Sequence, residues 1–234
     1  MTEMLPQPPP SEEALRSRKF WNWVGMVSIL LPVFIWVTAP LIIRGPRKDG
    51  NLPEAVNNAR QIGFALFEFE VTYGAFPNDQ TAKDVRNATD STLSPGSTTS
   101  NDYFRQLIAA DICQNEMQFF VRRSPTDSRP DNVFTGSEAL KKGECAFSYI
   151  AGLTTKHPPE TPIVVFPLVP GKRTFDKKLC DKHYGGKAVI LRVDNSVTAV
   201  PVDASGRAWM NGKDLFDPSQ PFWGGKAPDV KWPE

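Results

Sequence analysis

The segment from Phe20 to Ile43, FWNWVGMVSILLPVFIWVTAPLII, constrains this chain more than any other, because 24 consecutive residues carry no charge. As a helix rising about 1.5 Å per residue it measures roughly 36 Å, enough to cross a hydrocarbon layer of about 30 Å with tilt. It predicts a single transmembrane helix over residues 20–43, with the lipid bilayer as the first partner. Trp21, Trp23 and Trp36 suit the interfaces; Arg16, Arg18 and Lys19 on one side and Arg44, Arg47 and Lys48 on the other act as anchors. Pro32 and Pro40 can kink it. The alternatives are a buried hairpin and a cleaved signal peptide, but the run is too long for a signal core and no small-residue cleavage site follows. Three basic residues near each end leave the orientation nearly tied on charge alone.

This span divides the rest. Residues 1–19 are Pro-rich and too short to fold, which predicts a disordered N-terminal tail. Residues 44–53, RGPRKDGNLP, hold two Gly and two Pro and read as a linker that interrupts helix. Residues 54–234 remain as one globular domain. With 40% hydrophobic residues and a formal charge of +1, the chain can build a core of ordinary size. It has no basic stripe with interleaved aromatics, which argues against nucleic acid as a partner. Twenty-two prolines, above the usual share of about 5%, predict many short elements.

Within that domain the spacing predicts an amphipathic helix over residues 54–73. Val56, Ala59, Ile62, Leu66, Phe69 and Tyr73 recur at intervals of three and four, Asn51 and Glu54 form a candidate capping box, and Gly74 supplies the stop. Residues 78–100 are polar and read as a surface loop with one helical turn at most; Asn101 then caps a second short helix over 102–112. Strands are expected at 117–121, 145–150, 162–168, 188–193 and 197–202, the last two joined by a turn at Asp194 and Asn195. The fold class is therefore α+β, an amphipathic helix packed on an antiparallel β-sheet.

ARQIGFALFEFEVTYGAFP, residues 59–77, resembles the helix exit of bacterial type II secretion pseudopilins and other prepilin-type (type IV pilin-like) proteins. In those proteins an amphipathic helix passes through a Tyr-Gly or Asn-Gly turn into an aromatic residue followed by Pro. The matching residues are Asn58, Gln61, Ile62, Gly63, Ala65, Leu66, Tyr73, Gly74, Phe76 and Pro77. KAVILRVDNSVTAVPVD, residues 187–203, resembles the C-terminal hairpin of the same group. The N-terminal signature is degenerate: no Gly precedes FWNWVGMV, and Val24 stands where the family's Glu falls. The resemblance implies a pilin-like extracytoplasmic domain held at the bacterial inner membrane, with residues 54–234 in the periplasm. It further implies a role as an accessory component of a secretion or pilus machine, with partners from that machinery. A cell-surface or periplasmic ligand-binding module with this fold and no filament role is the alternative.

Chemistry-bearing patterns are sparse, and neither catalytic residues nor a cofactor is expected; the chain is not read as an enzyme. Ser148 lacks the Gly-x-Ser-x-Gly frame of a nucleophile elbow and reads as a strand residue. Cys113, Cys145 and Cys180 allow one disulfide and one free thiol outside the cytoplasm, without fixing a pairing. Cys180 and His183 are spaced like a metal half-site, but only His157 is left to add to them. Asn211, Asp214 and Asp217 offer oxygen donors of the type calcium takes, and some major pseudopilins hold calcium in a C-terminal loop; the bland reading is a pair of Asn-Gly and Asp-Pro turns. The tail with Phe222, Trp223 and Trp232 is expected to fold back on its own sheet rather than to dock a partner.

Overall fold

The computed structural model describes residues 21–25, 28, 50–89, 96–124 and 128–234. The chain divides into two compact units, residues 1–47 and 48–234. In the first, residues 21–25 and 28 are helical, and the Ser28 hydroxyl donates to the Val24 carbonyl at 2.7 Å. The remainder of the expected span 20–43, the tail 1–19 and most of the linker lie outside the described residues. Among the described residues no helix is long and apolar enough to cross a membrane.

The second unit is α+β, as the sequence predicts. Helix α1, Leu52–Tyr73, starts two residues before the expected 54, and without the predicted capping box: Asn51 is itself near-helical (φ −95°, ψ −8°) and its side chain caps nothing. Pro53 fits this first turn, where its missing N–H has no partner to lose. The helix ends as expected at Gly74, whose φ of 76° lets its N–H reach the Glu70 carbonyl at 2.7 Å. Ala55, Ala59, Ile62, Gly63, Ala65, Leu66 and Phe69 are buried, with Val56 and Tyr73 half-buried beside them. Ile62, Leu66 and Phe69 each contribute roughly 1.5–3 kcal/mol by leaving water.

This stripe lies across a five-stranded, wholly antiparallel sheet of order β4-β3-β2-β1-β7. The strands are β1 (Ser148–Ala151), β2 (Pro162–Phe166), β3 (Lys187–Arg192), β4 (Val197–Pro201) and β7 (Asp229–Lys231). Helix α1 packs on β3 and β4, and Asn195, at φ 63°, makes the predicted hairpin turn between those two strands. Gly63 lets helix and hairpin approach closely: a Cβ there would sit 1.9 Å from Asn195 Oδ1 and 3.0 Å from Leu191 Cδ1. Strands β1, β2 and β3 are almost entirely buried, so the sheet is the centre of the core.

Three sequence expectations are corrected. Residues 79–88 form a full helix, α2 (Asp79–Ala88), because Asn78 accepts from the N–H groups of Gln80 and Thr81 at 2.8 and 3.0 Å; residues 90–95 lie outside the described residues. Helix α3, Ser100–Ala109, is capped by Thr99 in a box with Asp102, while Asn101 donates to the Leu140 carbonyl at 2.9 Å. Residues 117–121 are not a strand: Glu116–Phe119 is a 3-10 turn begun by the Asn115 side chain, and Asn58 on α1 donates to the carbonyls of Met117 and Phe120. The tail does fold back. Phe222 and Trp223 are buried, and Asp229–Lys231 adds the strand β7 beside β1.

Candidate functional site

The segment between β4 and β7 carries the oxygen donors singled out in the sequence. It forms a small ribbon, β5 (Trp209–Met210) against β6 (Lys213–Asp214), turned by Asn211 and Gly212 at φ 51° and 74°. Positive φ at both central residues is what a type I′ hairpin turn requires, and Asn-Gly meets it. Asn211 thereby serves as a central residue of the turn and is not among the residues that line the neighbouring cleft. The Gln220 amide nitrogen donates to the carbonyls of Met210, Lys213 and Asp214 at 2.8, 3.2 and 3.1 Å and fastens the ribbon from behind.

Asp214 and Asp217 do come together. Both line a cleft of about 300 Å³ whose other walls are Arg173, Thr174, Arg207 and Phe216. Asp214 Oδ1 accepts from the Phe216 N–H at 2.8 Å and Oδ2 lies 3.5 Å from Arg207 Nε. Asp217 Oδ1 accepts from the Ser219 N–H at 2.8 Å; that bond and the Ser219 hydroxyl hold its carboxyl below the usual carboxylate range. Two guanidiniums face two carboxylates, so the lining is balanced in charge. Calcium takes six to eight oxygens and a surplus of negative charge, and this lining supplies no such surplus.

Arg173 and Arg207 carry no motif in the sequence, and a backbone contact unites them. The Phe175 N–H donates to the Gly206 carbonyl at 2.7 Å, and a Cβ on Gly206 (φ 78°) would lie 2.6 Å from the Phe175 carbonyl oxygen. Asp203 then orders the turn that follows. Its Oδ1 accepts from the N–H groups of Ser205 and Arg207 and from the Ser205 hydroxyl, while Oδ2 accepts from the Trp209 indole at 2.7 Å. The Ser205 hydroxyl first, then the indole, hold this carboxyl far below its ordinary range. The Asp-x-Ser-Gly spelling of residues 203–206 is the signal that marks this turn in the sequence.

Among the described residues, one group of three possible metal ligands gathers elsewhere, namely Glu116, Asp131 and Glu144. Lys141 already occupies the cation's place, with its ammonium 2.6 Å from Asp131 and 3.9 Å from Glu144. Glu116 accepts from the backbone N–H groups of Leu140 and Asn132 at 2.6 and 2.9 Å, a loop clasp rather than an open site. Burial first pushes the carboxyls of Glu116 and Glu144 up; the charge of Asp131 adds to the shift of Glu116, and the charge of Glu116 to that of Glu144.

Cys113, Cys145 and Cys180 are all free and buried, and burial pushes each thiol up to about 12, far from a reactive thiolate. The disulfide that the sequence allows is not formed. Cys180 lies on helix α4 (Lys177–His183) without a third ligand beside His183 among the described residues. Ser148 sits on β1, buried, its hydroxyl without a partner. Comparison with protein-family models, with curated proteins and with solved structures finds no match to this chain.

Proposed function

We propose that the chain is a membrane-anchored, pseudopilin-like accessory component of a type II secretion or type IV pilus-like system. Residues 20–43 hold it in the bacterial inner membrane and residues 54–234 form a pilin-like head in the periplasm. The observation that carries this reading is helix α1, laid by its apolar stripe over β3 and β4 of an antiparallel sheet and leaving through Gly74 into Phe76 and Pro77. The uncharged run 20–43 that precedes it in the sequence adds support. So do Phe64 and Val71, seven residues apart on the opposite side of α1 and 61% and 87% exposed, since apolar groups on that side suit contact with another subunit.

Cross-linking in native membranes followed by purification of the full chain tests the reading. Secretion or pilus subunits are expected to co-purify, and to be lost from a Phe64→Asp/Val71→Asp variant whose unfolding transition is unchanged. Recovery of the chain alone would overturn it. The open cleft at Arg173 and Asp217 favours a second reading, a periplasmic or cell-surface ligand-binding module with the same fold and no filament role.

A further inference from the structure

We propose that the cleft between residues 173–174 and the β5–β6 ribbon is a binding site for a neutral saccharide, with Trp209 as the platform at its rim. The site stands whether or not the chain joins a secretion machine. Its volume of about 300 Å³ lies at the lower end of small-molecule clefts, which run from about 300 to 1,000 Å³.

The polar groups it presents are of both kinds. Arg173 offers guanidinium N–H donors that no carboxylate among the described residues takes up, and Arg207 is held only loosely, 3.5 Å from Asp214. Asp217 offers the carboxylate lone pairs that the Ser219 N–H and hydroxyl leave over. Two positive and two negative side chains cancel, so a free anion gains little from the arginines and a free cation little from the aspartates. Vicinal hydroxyls, each at once donor and acceptor, use both sets without bringing charge of their own.

An aromatic surface stands on the ribbon face that carries Asp214. Trp209 is 50% exposed and pairs directly with Asp214 across the ribbon, and residues opposite one another in an antiparallel pair share a face. Its indole N–H is already consumed by Asp203 at 2.7 Å, which fixes the ring and leaves its apolar face as what remains to offer. A half-exposed indole held still on the face that carries the Asp214 carboxylate suits the C–H face of a sugar ring. The frame is rigid on both sides. The Trp232 indole donates to the Lys172 carbonyl at 3.0 Å, and Gly206 docks on Phe175. An apolar peptide is disfavoured because Phe216 is the one apolar wall, and it is buried.

Isothermal titration of the full chain in detergent micelles with cellotetraose, chitotetraose, maltotetraose and xylotetraose tests this. At least one is expected to bind at about 1 mM or tighter, and Arg173→Ala, Asp217→Asn and Trp209→Ala each to weaken it by about tenfold or more. All three side chains are exposed or half-exposed, and thermal unfolding of each variant establishes that its fold is kept. No heat with any of the four sugars, or binding that survives all three substitutions in folded protein, would overturn the proposal. Calcium chloride alone giving a heat that Asp217→Asn removes would also overturn it, in favour of a cation site.

Discussion

Gly63 shows how much one missing methyl group decides. Alanine improves a helix interior by about 1 kcal/mol over glycine in the absence of other contacts. Here the added Cβ would fall 1.9 Å from Asn195 Oδ1, an oxygen buried without a hydrogen-bond partner, at the tip of a side chain too short to swing away. Gly63→Ala is therefore expected to destabilise the domain by about 1–3 kcal/mol, the range of an overpacked core. Asn195 sits at φ 63°, which glycine adopts without strain. Adding Asn195→Gly to Gly63→Ala should restore most of the loss, as read from urea midpoints of the two single variants and the double. Equal losses from the single and the double would show that Asn195 is not what keeps position 63 bare.

Among elements, α1 was legible and α2 was not, and the difference is burial. Helix α1 presents seven buried positions at helical spacing, whereas α2 buries Thr81, Ala82 and Val85, too few for periodicity to stand out against a polar stretch. What makes α2 a helix is its first turn, where Asn78 accepts two backbone bonds and Thr81 answers the Asn78 N–H at 2.8 Å. Asn78→Ala is expected to cost about 1 kcal/mol, and up to about 2, with hydrogen exchange quickening first at residues 80–82. Unchanged exchange there would show that packing rather than the cap holds α2. The strands β2 to β4 were legible from their Val, Ile and Phe content, whereas β1, expected over 145–150, is strand only from Ser148 to Ala151. Strand β7, three residues with Val230 alone buried, offers no alternation to read. The cleft was half legible: Asp214 and Asp217 are close in sequence, but Arg173 joins them through a backbone contact at Gly206 that no side-chain pattern encodes.

At the scale of the whole molecule, the buried carboxyls set the direction in which stability moves with pH. Glu116 and Glu144 are raised above 4.5 in the folded state, so folded protein holds these protons more tightly than unfolded chain. Their contribution is complete below the unfolded value and is lost as pH rises through the folded one. The unfolding midpoint is expected to fall as pH rises above the ordinary glutamate range, and Glu144→Gln, which keeps an acceptor for the Lys141 N–H, to flatten that slope. A slope untouched by Glu144→Gln would place its origin elsewhere. The strand order also sets when the sheet can be completed. Strand β1 has β2 on one side and β7 on the other, so Tyr149 finds a neighbour at Val164 soon after synthesis but waits for Lys231 before its second is in place. During translation the emerging chain must carry that open edge for some eighty residues, a window in which a chaperone that caps lone strands has something definite to hold.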